Sequence, residues 1–350
     1  MSSVSNAADL IERRAAILES EPRLRARNLA EKLGISEAEL VALGSAGVEV
    51  TRLKADWPGI IRSVSALGRV MALTRNESVV HERKGVYGEL EGGAPVGLIV
   101  GDDIDLRIFF SQWCFGFAVV DQTGEEARHS LQFFDVHGVA VHKIYLTDRS
   151  DFWAFDALVA KFAVADTPIE VTPVAGRTPA LPDREIDVAA FHANWDAMTD
   201  THEFHGLLTK HKVQRLQGLR LAGPSRAFAV PSSALRTALT VARDRAVPIM
   251  VFAGNPGMIQ IHTGTVENLK SMGPWFNVMD ERFNLHLRED HIDSAWVVWK
   301  PTEDGTVTSL ELFDKEGELI ATLFGKRKPG TPEDLDWRAI VNGLTELEAA

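Results

Sequence analysis

The chain has 350 residues, 45% of them hydrophobic and 25% charged, with a formal net charge of −12. This is a soluble, globular composition, and the length suits two packed units better than one core. The negative balance excludes broad binding along a phosphate backbone, which needs clustered cations, but it leaves room for a local basic pocket. No run of about 18 apolar residues occurs, so no membrane-spanning helix is expected. The N-terminal MSSVSNAADLIERRAAILES lacks the apolar core of a secretory signal. The one cysteine, Cys114, sits in WCFGFAVV and reads as a small buried hydrophobe. A lone thiol forms no internal disulfide, so a reducing, cytoplasmic setting is the expectation.

In chain order, LRARNLAEKLGISEAELVALGSAG reads as two helices with a break at Gly34. DLRIFF, FAVVD, HSLQFFD and VAVHKIYL follow as short strands, with turn signals at TGEE and DVHG. ADTPIEVTPVAGRTPALPDREID carries Pro168, Pro173, Pro179 and Pro182 and reads as an extended connection. DTHEFHGLLTKHKVQRLQGLRLAG then repeats the helix–break–helix pattern, and IMVFAG, MIQIHTG, FNLHLRE, AWVVWKP, TSLELFD and LIATLFG repeat the strands. Leu106 matches Leu285, Ser130 matches Ser309 and Asp135 matches Asp314; each pair is 179 apart (285 − 106, 309 − 130, 314 − 135). A constant register with S-L-x-x-F-D-x-x-G intact marks an internal duplication. The expected fold is α+β: two similar halves, 1–165 and 188–350, joined by the proline-rich 166–187. Each half should be a large antiparallel meander with helices packed on it.

TDTHEFHGLLTKHK concentrates three of the chain's 11 histidines. Asp200 suits an N-cap with Glu203 as its box partner, and Lys210 to Lys212 suit the C-terminus. At about 100° per residue, His202 and His205 share a face without apolar side chains, whereas His211 falls with Phe204, Leu207 and Leu208 on the core face. Gly206 would let a flat group approach the backbone. The face shared by His202 and His205 is either plainly solvated or a ligand site. HEFH is not the H-E-x-x-H zinc motif, and one cysteine cannot build a structural zinc site. One or two histidines on a helix beside a large sheet fit an axial haem ligand better. The matching first-half helix has no histidine, so such a site exists once per chain.

TRNESVVHERKGVYG, IDLRIFFSQW, RHSLQFFDVHGVAVHKIY, MIQIHTGTVENL, WFNVMDERFNLHLRED and TSLELFDKEGELIATLFGKR resemble, in order and over Leu24 to Trp337, the HemS/HmuS/ChuS family of cytoplasmic haemin-trafficking and haemin-degrading proteins. The resemblance implies haem b as the bound group. It implies His202 of T-D-x-H as the iron ligand, with His205 as an alternative ligand. It implies Arg107 and Phe109 of D-L-R-I-F on the distal side and Arg215 as a second arginine. Lys300 of WKPT and Arg327 of FGKR fall on the propionate side. These types fit haem chemistry: an imidazole for iron, cations for propionates, and a distal arginine donating to water or O2. The implied function is receipt of imported haem from an inner-membrane transporter for iron acquisition. Trafficking to a separate oxygenase, or degradation using O2 and an external electron donor or reductase, would follow. A helix-turn-helix reading of RARNLAEKLGISEAELVAL is the alternative of another class, set against a helix pair packed on its own sheet.

Overall fold

The computed structural model describes residues 3–22, 24–165, 167–177, 179–328 and 330–344. The chain divides into two units. The first comprises residues up to Ala175 without 76–82; the second comprises the remainder without 255–259, which belongs to the first.

The first half opens with α1 (Ser3–Ser20), α2 (Ala26–Leu33) and α3 (Glu37–Leu43). It continues through β1 (Val48–Arg52), α4 (Trp57–Val64), β2 (Gly68–Arg75), β3 (Val79–Val86), β4 (Glu91–Gly92) and β5 (Val96–Ile99). β6 (Asp105–Phe109), β7 (Phe115–Asp121), β8 (Arg128–Phe134), β9 (Ala140–Ser150) and α5 (Phe152–Phe162) complete it. The second half starts with α6 (Val188–Asp196), α7 (Glu203–His211), α8 (Arg215–Ala222), β10 (Ala227–Val230) and α9 (Ala234–Asp244). Then come β11 (Ile249–Asn255), β12 (Met258–Gly264), β13 (Leu269–Met272), β14 (Trp275–Met279) and β15 (Phe283–Arg288). β16 (Ser294–Thr302), β17 (Gly305–Phe313), β18 (Leu319–Gly325) and α10 (Leu335–Asn342) close the described chain.

In the first unit β1, β7, β8, β9 and β2 are successive antiparallel neighbours. In the second, β10, β16, β17, β18 and β11 repeat that order. The smaller runs β4-β5-β6 and β13-β14-β15 also correspond. The fold is therefore α+β with large antiparallel sheets in duplicate, as the repeat implied. One detail differs from a simple meander: β6 does not join β7 but pairs with β5.

Alternation decides the faces. In the second unit Val297, Leu310, Leu312 and Leu323 pack against Ala238, Leu239 and Trp337 of α9 and α10. On the opposite face Val298 and Phe313 meet Phe191, Trp195, Phe204, Leu207 and Leu208 of α6 and α7. At roughly 1.5–3 kcal/mol per buried apolar side chain, Phe204, Leu207 and Leu208 anchor α7 firmly enough to leave its other face bare.

The helix pairs reveal the repeat locally. α2 ends at Gly34 with φ 73, and α7 ends at Lys212 with φ 55, both left-handed. The first residue of each following helix is ion-paired to the sheet. Glu37 meets Lys143 of β9 and Arg75 of β2; Arg215 meets Glu311 of β17. The helix-turn-helix alternative places α3 in a groove. Instead Ala38 of α3 is buried, its backbone N–H donates to Gly138 O at 3.0 Å, and α3 carries no basic residue. That is a helix pair packed on its own sheet.

Candidate functional site

α7 starts at Glu203, three residues beyond Asp200. The expected capping box is replaced by two other local arrangements, spanning two and four residues. Asp200 accepts the backbone N–H of His202 at 2.8 Å, and its Oδ1 lies 2.6 Å from His202 Nδ1. Glu203 reaches back to Thr199, accepting its N–H at 3.0 Å and its hydroxyl at 3.2 Å. An Asp side chain can bond a donor two residues on as well as cap a helix, and here the local bond to His202 displaces the cap.

This turn fixes the tautomer of His202. Nδ1 donates to the Asp200 carboxylate, so in the neutral ring Nε2 keeps its lone pair. The ring is 83% exposed, which leaves Nε2 accessible. The backbone N–H of His202, more than any other group, holds the Asp200 carboxyl below its ordinary range; the His202 ring and the Arg327 guanidinium add to this. His205 is exposed one turn further along, and a Cβ on Gly206 would meet nothing within 4 Å. A broad ligand would find open space there. His211 is different: it packs edge-on to Phe191 at 5.5 Å between ring centroids and lies 3.2 Å from Asn194 Nδ2.

The cations named from the sequence fall into two settings within the second unit. Arg215 and Lys300 are engaged by one carboxylate. Glu311 Oε2 accepts from Arg215 Nε at 2.7 Å, and Oε1 accepts from Arg215 Nη2 at 2.9 Å and from Lys300 Nζ at 2.6 Å. Lys300 and Glu311 have side-chain exposures of 2% and 0%. Burial alone would raise the Glu311 carboxyl, but Arg215 and Lys300 together hold it well below the ordinary range. Burial lowers the Lys300 ammonium against the pull of Glu311. Arg327 is less satisfied. Its Nη2 is 3.4 Å from Asp304, and its buried Nε has no acceptor among the described residues.

Cross-strand register puts Lys300, Ser309, Glu311, Phe324 and Phe252 on one sheet face. The Phe252 and Phe324 rings are 5.1 Å apart and only partly buried, so the helices leave an apolar strip of this face open. Lys300 Nζ lies 4.5 Å from the Phe204 ring and 5.9 Å from the Phe324 ring, with Arg215 5.1 Å from Phe204. An exposed imidazole nitrogen, an unmatched guanidinium nitrogen and a bare aromatic strip suit a flat, apolar, metal-bearing ligand with carboxylates.

Arg107 and Phe109 belong to the first unit, on β6. Leu106 and Ile108 are fully buried on the other face, as strand alternation requires. Arg107 pairs with Asp105 and donates to Leu106 O at 3.2 Å. Burial raises the Asp105 carboxyl, and Arg107 opposes that rise.

Glu311, Phe252 and Phe324 were not singled out in the sequence, and Asp200 was read there only as an N-cap. A signal for Glu311 existed: SLELFD carries a carboxylate where SLQFFD carries Gln132 (311 − 132 = 179).

The fold and these side chains define a duplicated α+β protein with one elaborated half. The chain belongs to the haemin-degrading HemS.ChuX domain family, whose model matches it twice, over 34–162 and 212–344. It is 39% identical over 331 residues to the hemin transport protein HemS of Yersinia enterocolitica, covering 94% of this chain and 95% of that one. The heme-binding protein PhuS of Pseudomonas aeruginosa, in its holo crystal structure, superposes with a TM-score of 0.92 at 45% identity, covering 97% of this chain and 99% of PhuS. The heme degrading enzyme ChuS of Escherichia coli O157:H7 gives 0.90 at 36% identity, with the same two coverages.

Proposed function

We propose that this protein binds haem in the half spanning 188–350, with His202 as the iron ligand and His205 as its alternative. The observation that carries the reading is the turn at Asp200, which engages Nδ1 of His202 and leaves the rest of an exposed ring, with Nε2, facing away from that carboxylate. Arg327 and Arg215 would meet the propionates, Arg327 through the guanidinium that lacks an acceptor at Nε. Lys300, which the resemblance places on the propionate side, lies buried beneath this face against Glu311. Arg107 and Phe109 carry the distal roles that the family resemblance implies. No described helix is long and apolar enough to cross a membrane, which fits our further proposal of a cytoplasmic protein that accepts haem from an inner-membrane transporter.

Haem here is cargo or substrate, and supplies the redox-active iron in either case. A carrier would pass it to a separate oxygenase; an enzyme would open the macrocycle with O2 and external electrons. HemS is named a transport protein and ChuS a degrading enzyme, so relatives support both outcomes. Haem is loaded under anaerobic conditions, and air and a reductant are then added. Loss of the Soret band with a defined tetrapyrrole product assigns an enzyme. A stable spectrum, or slow bleaching fully suppressed by catalase, assigns a carrier. Failure to bind haem refutes the whole reading.

A further inference from the structure

Among the described residues Glu311 is the fully buried carboxylate beneath the proposed haem face, and no role above is assigned to it. The fold does not require it. At the matching place in the first half Gln132 is uncharged, and its amide donates to Ser130 at 3.1 Å. A buried ion pair is moreover often no more stabilising than well-packed apolar groups. Its geometry points to a job in recognition. Glu311 holds Arg215 through Nε and Nη2, one edge of the guanidinium, leaving Nη1 outside the pair on a side chain 30% exposed. It holds Lys300 through Oε1, and the Ser309 hydroxyl bonds the same oxygen at 3.1 Å. Phe204 lies against both cations, limiting their movement. Two cations and one carboxylate leave a single net positive charge, carried by the group with a free edge.

We propose that Glu311 is a positioning residue for recognition of a ligand carboxylate: it clamps Arg215 by one edge so that the other is presented, and it cancels the charge of Lys300. The proposal rests on the haem reading above. A guanidinium fork held on one side is pre-organised for a second carboxylate, so less freedom is lost when that carboxylate binds.

The test compares the Kd of haem with that of haem dimethyl ester, which keeps the ring and iron but has no carboxylates. The full chain should prefer haem. Glu311→Gln should reduce that preference by about tenfold, the size of one charge-assisted hydrogen bond. Because Glu311→Gln strands a buried ammonium, Lys300→Met/Glu311→Gln removes cation and counter-ion together and should give the same reduction. Arg215→Lys leaves the Lys300–Glu311 pair intact but has no second edge, so it tests the fork geometry even if neither Glu311 variant folds; it too should lose the preference. An unchanged preference in the folded variants, or equal binding of haem and ester by the unaltered chain, overturns the role of Glu311 while leaving haem binding standing. No haem binding by the unaltered chain overturns both.

Discussion

His142 offers a prediction that can be worked from the first unit alone. It lies on β9, its ring buried with Nε2 2.6 Å from Oη of Tyr87, which follows β3, and Nδ1 2.9 Å from Oγ1 of Thr74 on β2. A neutral ring satisfies both: Tyr87 donates to Nε2, and Nδ1–H donates to Thr74. Protonation would put a hydrogen on Nε2, against the tyrosine O–H, in a site with 1% exposure. Burial accordingly pulls the His142 pKa from 6.5 down to about 3. The unfolded chain therefore takes up this proton first. The contribution is fully present above about pH 6.5 and is lost as pH falls toward 3. Between pH 7 and pH 5 one such group costs about 2 kcal/mol, a figure that hardly depends on the folded value once it lies well below 5. His142→Gln can still accept from Tyr87 but cannot titrate. Amide exchange in β2 and β9 at pH 7 and pH 5 reads the local opening free energy. The unaltered chain should lose about 2 kcal/mol more than His142→Gln over this interval. Equal losses would show that the ring is not the titrating group.

Haem spectra should change more in His202→Ala than in His211→Ala, and low-spin six-coordinate features should vanish only in His202→Ala/His205→Ala; an unaltered spectrum in the double variant sinks both ligands. Glu37→Gln strands Lys143 and Arg75 and should cost about 3–5 kcal/mol in urea denaturation; a loss under about 1 kcal/mol would mean that the pair is solvated. Lys212→Gly relieves a left-handed C-cap and should add up to about 1 kcal/mol, read as a higher urea midpoint, with any decrease counting against the cap geometry.

The sequence was most informative where a pattern was long. Forty residues in constant register disclosed the duplication, and the 179-residue offset places β7, β8 and β9 upon β16, β17 and β18. Short-range choices were less visible. Asp200 looks like an N-cap, yet its side chain can serve the His202 N–H and ring at once, and that local option competes with helix initiation. Lys300 reads as a cation for a ligand. Only the cross-strand register reveals that it sits within reach of Glu311 and out of solvent. Phe252 and Phe324 look like ordinary strand residues, because the bare strip they form depends on where α7 and α8 stop covering the sheet.

The duplication also shows how the two halves differ around the residues proposed to meet the ligand. Gly34 and Lys212 are equivalent helix ends, 178 apart (212 − 34). The same offset pairs His202 with Leu24, His205 with Arg27 and Arg215 with Glu37. Both halves keep an ion pair between the first residue of the second helix and the sheet, but its sign is reversed: carboxylate on the helix in the first, guanidinium in the second. Either sign can tether a helix. Only the second leaves a cation on the helix side, where a ligand carboxylate can reach it, and only that half has an imidazole at the preceding turn. The proposed site therefore needs no fold beyond the one that both halves share. The two halves differ there in the polarity of one tether and in a histidine, His202, where the first half has Leu24.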